Sequence, residues 1–341
     1  MALYNLVVFP YNQGMSIPAI HKAHLTRGYT AAFFSAVILS TTGIFIRYLT
    51  LTYSLPALVL AFWRDLFVTF SLLIALRLLK PALLRVERKY LHYLVWYGLV
   101  LAIFNSLWTL SVAFNGAAVS TVLAYCSAGF TALLGWWLLK ERLDWPKLLA
   151  VALCLAGCML VSGALDLAAW RLNLLGIVTG VLSGLLYAIY SLMGRSASQR
   201  GLNPWTTLLY TFGFAAVFLL VFNLLGKGFL PGAITRTTDF LWLGKAWAGW
   251  GILFLLAVGP TLAGFGLYNV SMTYLPSSVA NLILTMEPAI TSLFAYLLLD
   301  ERLTWVQLGG GLLILGGVVF LRVYEGWLAG RSEAQPEPAN L

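Results

Sequence analysis

The chain has 341 residues, 61% of them hydrophobic and 10% charged, with a mean hydropathy of +0.88 and a formal net charge of +9. Soluble domains carry about 25% charged residues, so an ordinary soluble domain is excluded. The Lys and Arg residues are scattered between apolar runs, and no exposed basic domain exists to form a nucleic-acid patch.

A helix needs about 20 mostly apolar residues to cross a bilayer. Ten such runs are predicted, at 29–48, 56–79, 91–114, 118–139, 146–163, 174–193, 204–225, 249–274, 278–299 and 305–323. Their length favours helices over strands. Residues 1–27 read as a cytoplasmic lead. Leu3–Phe9 is apolar but short and has no basic segment before it, which argues against a cleaved signal. Met15 is a second candidate start.

The first run carries a small residue at every fourth position, Gly28, Ala32, Ala36 and Ser40, and the sixth does the same with Gly176, Gly180, Gly184 and Ala188. Small residues at this spacing let helices approach closely in lipid. The offset of 148 also superposes Ser35 on Ser183, Arg47 on Arg195 and Pro56 on Pro204.

The second run holds Trp63, Arg64 and Asp65. Charges inside a span are costly and usually face the bundle interior. Adjacent residues point about 100° apart on a helix, so Arg64 and Asp65 are not expected to pair simply with each other. Arg64 either faces a cavity or snorkels outward. The basic loop 80–90 reads as a topology anchor.

The third run ends LWTLSVAF and the eighth LYNVSMTY, now at an offset of 160, so that Trp108 matches Tyr268 and Ser111 matches Ser271. The change of offset from 148 to 160 puts about twelve extra residues at 226–247. These read as an outer loop with an interfacial helix around Phe240–Trp247. The same offset of 160 superposes Ala118–Leu143 on Ser278–Leu303, with Val119, Thr131, Leu133, Leu138, Leu139, Glu141, Arg142 and Leu143 landing on identical residues. Each copy is an apolar run ending in a charged Glu-Arg-Leu turn.

Cys126, Cys154 and Cys158 all lie inside apolar runs, so no disulfide framework is indicated. Cys154 and Cys158 are four residues apart, but no His or carboxylate is near in sequence, and they read as small packing residues. No metal site and no cofactor is expected. The tail 324–341, with Pro336 and Pro338, reads as disordered and cytoplasmic.

Assigning Lys and Arg to alternating sides, with the N-terminus inside, gives 14 cytoplasmic and 6 outer charges, with Arg64 in the membrane. The positive-inside rule then places both termini in the cytoplasm. Five spans per half is an odd number, so the second half enters from the opposite side as an inverted repeat. Such duplicated halves build carriers with the site between them.

In the ninth run Glu287 lies near mid-span, followed by Pro288. Burying a carboxylate there is costly unless it is neutral, paired or hydrated. Pro288 cannot donate to the carbonyl of Leu284, so a helix break with free polar groups is predicted. Glu287 reads either as a substrate or proton site, or as a structural acid bonded to Arg64, Asn269 or a hydroxyl. Trp63, Trp108, Tyr125, Tyr187, Tyr190, Tyr268, Asn105, Asn269 and Asn281 are the aromatic and amide candidates for a cavity lining. Trp136, Trp137, Trp145 and Trp305, near helix ends, read as interface belts.

Ten spans in two copies, each with an apolar helix followed by LLKERL or LLLDERL, together with Glu287-Pro288, resemble the EamA-type transporters of the drug/metabolite transporter superfamily. The resemblance covers about 28–323. It implies an all-α membrane protein of ten helices, with repeats at 28–163 and 174–323 joined by an outer connection at 164–173, around a central cavity. It further implies transport of small metabolites, such as amino acids or drug-like compounds, commonly export, in a plasma or inner membrane without ATP hydrolysis. The first half has Ser127-Ala128 where the second has Glu287-Pro288, a departure that speaks against symmetric carboxylates. The expected partners are a small molecule and the bilayer, with protons as candidate coupling ion and a homodimer as candidate assembly. The competing classes are a membrane-embedded enzyme and a receptor or scaffold. The only histidines are His21, His24 and His92, and no HExxH or P-loop is present, so a non-enzymatic carrier is expected.

Overall fold

The computed structural model describes residues 17–139, 144–161, 167–271, 274 and 283–333. Among these the chain is built of helices, without strands. In chain order they are α1 (Ile17–Tyr53), α2 (Ala57–Leu79), α3 (Arg88–Asn115), α4 (Ala117–Ala124), α5 (Ser127–Leu139), α6 (Trp145–Val161), α7 (Leu167–Gln199), α8 (Pro204–Leu225), α9 (Trp247–Leu256), α10 (Gly264–Ser271), α11 (Glu287–Leu299) and α12 (Trp305–Glu333).

Six helices are long and apolar enough to cross a membrane: Thr26–Tyr53, Ala57–Leu79, Arg88–Asn115, Leu174–Gly194, Pro204–Leu225 and Trp247–Ser271. Four shorter apolar helices accompany them: Ala117–Thr131, Leu148–Val161, Glu287–Leu299 and Trp305–Leu321. This is a multi-pass membrane protein. Its outer surface carries large apolar side chains such as Phe70, Leu78 and Leu312, as lipid contact requires. Trp137, Trp145 and Trp305 are exposed at helix ends, where belt aromatics belong.

Several predicted boundaries move. The first helix already begins at Ile17 inside the expected lead, and α7 begins at Leu167 inside the expected connection 164–173. The last helix continues to Glu333, so 324–333 is helical where a disordered tail was expected. Residues 322–333 contain no proline, so none of them lacks the amide that helical hydrogen bonding needs.

Small residues set the helix crossings, as their spacing predicts. Ala32, Ala36 and Ser40 are buried, and Ser35 Oγ donates to the carbonyl of Gly264 at 2.8 Å, tying α1 to α10. A Cβ on Gly157 would sit 2.6 Å from the carbonyl oxygen of Gly310, and one on Gly310 would sit 2.7 Å from that of Gly157. The backbones of α6 and α12 therefore touch directly. The principal contacts between helices distant in sequence are α12 with α6, α3 with α7, α3 and α2 with α8, and α1 with α10 and α11. The side chains of Cys154 and Cys158 lie outside the described residues.

The insertion at 226–247 is a cap packed on α1 and α2 and not an interfacial helix. Its ordered element is the 3-10 turn Thr237–Leu241, and α9 starts only at Trp247. The amide of Leu58 donates to Gly232 O at 2.9 Å, Trp63 Nε1 to Phe240 O at 2.7 Å, and Trp242 Nε1 to Tyr53 O at 2.9 Å. Gly232 adopts φ +74°, a conformation that favours glycine, as it passes Ala57. Within the cap, Asp239 Oδ2 accepts from the amides of Thr235 and Arg236 and from the Thr235 hydroxyl. Those donors, the Arg236 amide foremost, hold its carboxyl below the ordinary carboxylate value.

Candidate functional site

Two helices break at the same position of the repeat. Between α4 and α5 the helix is interrupted at Tyr125–Cys126, and before α11 it is interrupted at Thr285–Met286, residues related by the offset of 160. The second break is the one Pro288 predicts. The first has no proline and no sequence signal beyond its repeat position. Its turn is closed by Tyr125 N to Val122 O and Cys126 N to Leu123 O, in 3-10 fashion.

The breaks face each other. Pro288 leaves the carbonyl of Leu284 without its helical donor, and Tyr125 Oη donates to it at 2.7 Å. The same phenol oxygen lies 3.0 Å from Glu287 Oε2. A hydroxyl has one hydrogen, so Leu284 O and an ionised Glu287 compete for it. A proton on Glu287 that is donated to Tyr125 Oη leaves the phenol hydrogen to Leu284. Of the partners considered for Glu287, the structure supplies the hydroxyl and not Arg64 or Asn269. A second proline follows the same logic. Pro260 lies in a π-helical turn, Ala257–Ala263, and the Thr261 hydroxyl takes the carbonyl of Leu256 at 3.0 Å.

Arg64 and Asp65 do pair, contrary to the expectation from their angular separation. Arg64 Nε lies 3.2 Å from Asp65 Oδ1, and both side chains are buried, so the snorkelling reading also falls. The stem of arginine is long enough to curl round the helix, and a buried carboxylate left unpaired would cost several kcal/mol. Asp65 Oδ2 accepts from Asn105 Nδ2 at 2.6 Å, and the guanidinium carbon of Arg64 lies 5.9 Å from the Trp108 ring centroid.

These groups surround one cavity of about 230 Å³. Arg64, Asn105, Trp108, Tyr125, Tyr187, Tyr190, Tyr268 and Glu287 line it as expected. Three predicted residues do not. Asp65 sits behind Arg64, Trp63 packs under the 226–246 cap against Trp250, and Asn269 is outside the lining. Pro288 is buried at the start of α11. Asn281 lies outside the described residues. Sequence reading missed Thr42, Phe104, Ser127, Phe212 and Thr261 among the lining.

Of the missed residues, all but Phe104 have a repeat partner in the lining. At the offset of 148, Leu39 pairs with Tyr187, Thr42 with Tyr190 and Arg64 with Phe212. At 160, Leu101 pairs with Thr261, Asn105 with Phe265, Trp108 with Tyr268, Ala124 with Leu284, Tyr125 with Thr285 and Ser127 with Glu287. Both members of each pair line the cavity. The charged members, Arg64 and Glu287, each face an uncharged partner.

The second Glu-Arg-Leu turn is a tie between elements. Glu301 Oε1 lies 3.2 Å from Arg47 Nε and accepts from the amide of Ala117 at 3.1 Å, and Oε2 accepts from Ala118 at 3.2 Å. Arg47 Nη1 also donates to the carbonyl of Ala113. The carboxylate thus caps the start of α4, where negative charge suits the helix dipole, and holds the end of α1. The first turn, Glu141–Leu143, lies outside the described residues.

A model of the EamA-like transporter family matches residues 26–163 and again residues 174–323. An uncharacterized transporter of Archaeoglobus fulgidus is 29% identical over 223 residues, covering 64% of this chain and 73% of its own. The threonine/homoserine exporter RhtA of Salmonella typhimurium is 26% identical over 240 residues, covering 69% of this chain and 72% of its own. A solved crystal structure with 16% identity superposes at a TM-score of 0.54 over 89% of this chain and 98% of its own, a likeness of fold.

Proposed function

Because the chain belongs to the EamA-like transporter family, we propose that it is a secondary carrier that exports small ammonium-bearing metabolites by alternating access. The observation that carries this reading is the paired lining. Nine positions from each half meet at one cavity, as expected for two inverted five-helix repeats with the substrate site on the axis between them. The reciprocal contacts support it too: α3 meets α7 as α10 meets α1, and these are repeat-equivalent pairs.

The cavity volume bears on the substrate. At about 230 Å³ it falls below the roughly 300–1,000 Å³ of pockets that take drug-sized ligands. This favours metabolites of amino-acid size, the class named for the RhtA relative. Glu287 is the acid that a substrate ammonium would meet, flanked by Tyr125 and close to Tyr187 and Tyr268 in the lining. Tyr125 links its proton to the carbonyl freed at the helix break, a route by which proton and substrate occupancy bias the breaks. The charge split of 14 to 6 supports an orientation with both termini cytoplasmic, and the membrane is taken to be a plasma or inner membrane, as a metabolite exporter requires.

Counterflow in proteoliposomes tests the reading, with a panel of amino acids, nucleosides and amines. The variant Glu287→Gln separates the roles of the acid. As the coupling group, its loss abolishes flux driven by a pH gradient and spares substrate exchange. As an ammonium partner alone, both fall. Gradient-driven flux at wild-type rates in Glu287→Gln would remove the coupling assignment.

A further inference from the structure

Arg64 presents an unfilled donor array to the cavity. Its residue surface is 3% exposed, yet it is among the lining residues. Only its Nε is committed, to Asp65 Oδ1 at 3.2 Å. A guanidinium carries five N–H donors, so the four on its terminal nitrogens have no acceptor among the described residues. Those nitrogens are not sealed from solvent in the protein interior either. They open onto the cavity.

The repeat shows that the fold does not require a cation here. Phe212 occupies the equivalent position in the other half and lines the same cavity with an apolar ring. Burying a cation is costly even when it is partly paired. The surroundings are arranged to hold it: Asp65 fixes Nε, Asn105 fixes Asp65 at 2.6 Å, and the Trp108 face lies alongside.

We propose that the terminal nitrogens of Arg64 bind the carboxylate of the transported molecule, with Asp65 and Asn105 as positioning residues behind it. This rests on the transport reading and adds the orientation of the substrate, carboxylate toward α2 and ammonium toward Glu287 on α11. A ligand anion about 4 Å from the guanidinium and about 7 Å from the Asp65 carboxylate is attracted more than it is repelled, because the interaction falls as 1/r. A planar carboxylate also matches the fork of the guanidinium. A dianionic phosphate would set two charges beside Asp65 and Glu287, so the single charge of a carboxylate suits the site better.

The test compares binding of the twenty proteinogenic amino acids and their carboxamides to the full-length protein in detergent, by equilibrium dialysis. The expected result is at least tenfold tighter binding of the best acid than of its amide. Arg64→Gln should bring the acid down to the level of the amide and leave amide affinity within about twofold. Since Arg64→Gln leaves Asp65 buried without its cation, the double variant Arg64→Gln/Asp65→Asn repeats the measurement without a stranded charge. Asp65→Asn alone, with the cation kept, should reduce the acid/amide ratio, which a role in packing would not move. Equal binding of acid and amide by the wild type overturns the subsite, as does a parallel loss of both in the double variant. Proteoliposome flux separates this from the reading beneath it. Flux that ignores the carboxylate sinks the subsite alone, whereas neither binding nor flux for any member of the panel sinks both.

Discussion

Removing the Glu301 carboxylate should release the face of the protein that carries residues 300–304. In Glu301→Ala the amides of Ala117 and Ala118 lose their acceptor and Arg47 loses its ion pair. Loss of a helix N-cap costs about 0.5–2 kcal/mol. Each hydrogen bond to a charged group contributes about 1.5–3 kcal/mol, and a partly exposed pair adds up to about 1 kcal/mol. These contributions overlap, so about 2–4 kcal/mol of the closed arrangement depends on this carboxylate. If the contacts exist only when that face is closed, the balance between closed and open shifts roughly 30- to 1,000-fold. Gly116→Ala is an independent route to the same state. A Cβ there would lie 2.5 Å from Glu301 Oε1, on a backbone with φ +84°. The assay is labelling of a single cysteine at Thr42, which lines the cavity, by an impermeant thiol reagent added outside cells, with the three native cysteines replaced. Both variants should label at least tenfold faster than the parent. Unchanged labelling in both, with a lowered melting temperature, would mean that Glu301 caps α4 in every state and gates nothing.

Other consequences can be checked separately. Cysteines placed at Leu84 and Ser198 should react only from the cytoplasm and those at Thr52 and Phe229 only from outside; outside labelling at Leu84 would overturn the N-inside, ten-span topology. Gly184→Leu should lower the melting temperature in detergent by several degrees, because a Cβ there already meets Cys126 Sγ at 2.7 Å and Leu123 O at 3.2 Å, and overpacking costs about 1–3 kcal/mol. An unchanged melting temperature would place α7 away from the break. Asp239 has a depressed folded value, so its contribution to the cap is complete above the unfolded carboxylate value of 3.8 and is lost as pH falls through the folded one. Protease cleavage within 226–246 should therefore rise below about pH 4 in the wild type, and already at neutral pH in Asp239→Ala. Equal cleavage of the two at neutral pH would remove Asp239 from the cap.

What could be read from the sequence follows from where the physics is periodic. Ten apolar runs and two repeat offsets come from constraints that act on every residue of a span, namely lipid contact and close helix approach, so they leave many matching positions. The Arg64–Asp65 pair was misjudged because helix geometry fixes the directions of Cβ atoms and not where a long side chain ends. The interruption at Tyr125–Cys126 was invisible because no proline makes it. What favours it is its counterpart: the Tyr125 hydroxyl satisfies a carbonyl that Pro288 freed 159 residues away. Such a bond has no local signature. It could have been reached only by asking which residue the repeat places opposite the predicted break, and that question leads to Thr285 and then to Tyr125.

The same argument locates the chemistry. Repeat-equivalent positions share the fold's packing demands, so where both members of a pair line the cavity and only one is charged, packing does not explain the charge. Two lining pairs meet this condition, Arg64 with Phe212 and Glu287 with Ser127. Arg64 lies on α2 and Glu287 on α11, so the two asymmetric charges come from opposite halves and face one cavity. A symmetric scaffold with one cation and one acid offers a polar small molecule a single preferred orientation. Under the alternating-access reading proposed above, the halves would then exchange their roles around a ligand that keeps its orientation. On that ground Glu287→Ser combined with Ser127→Glu, which moves the acid to the equivalent place in the first half, should fold but lose its preference among substrates, because the distance from acid to Arg64 would no longer be the native one.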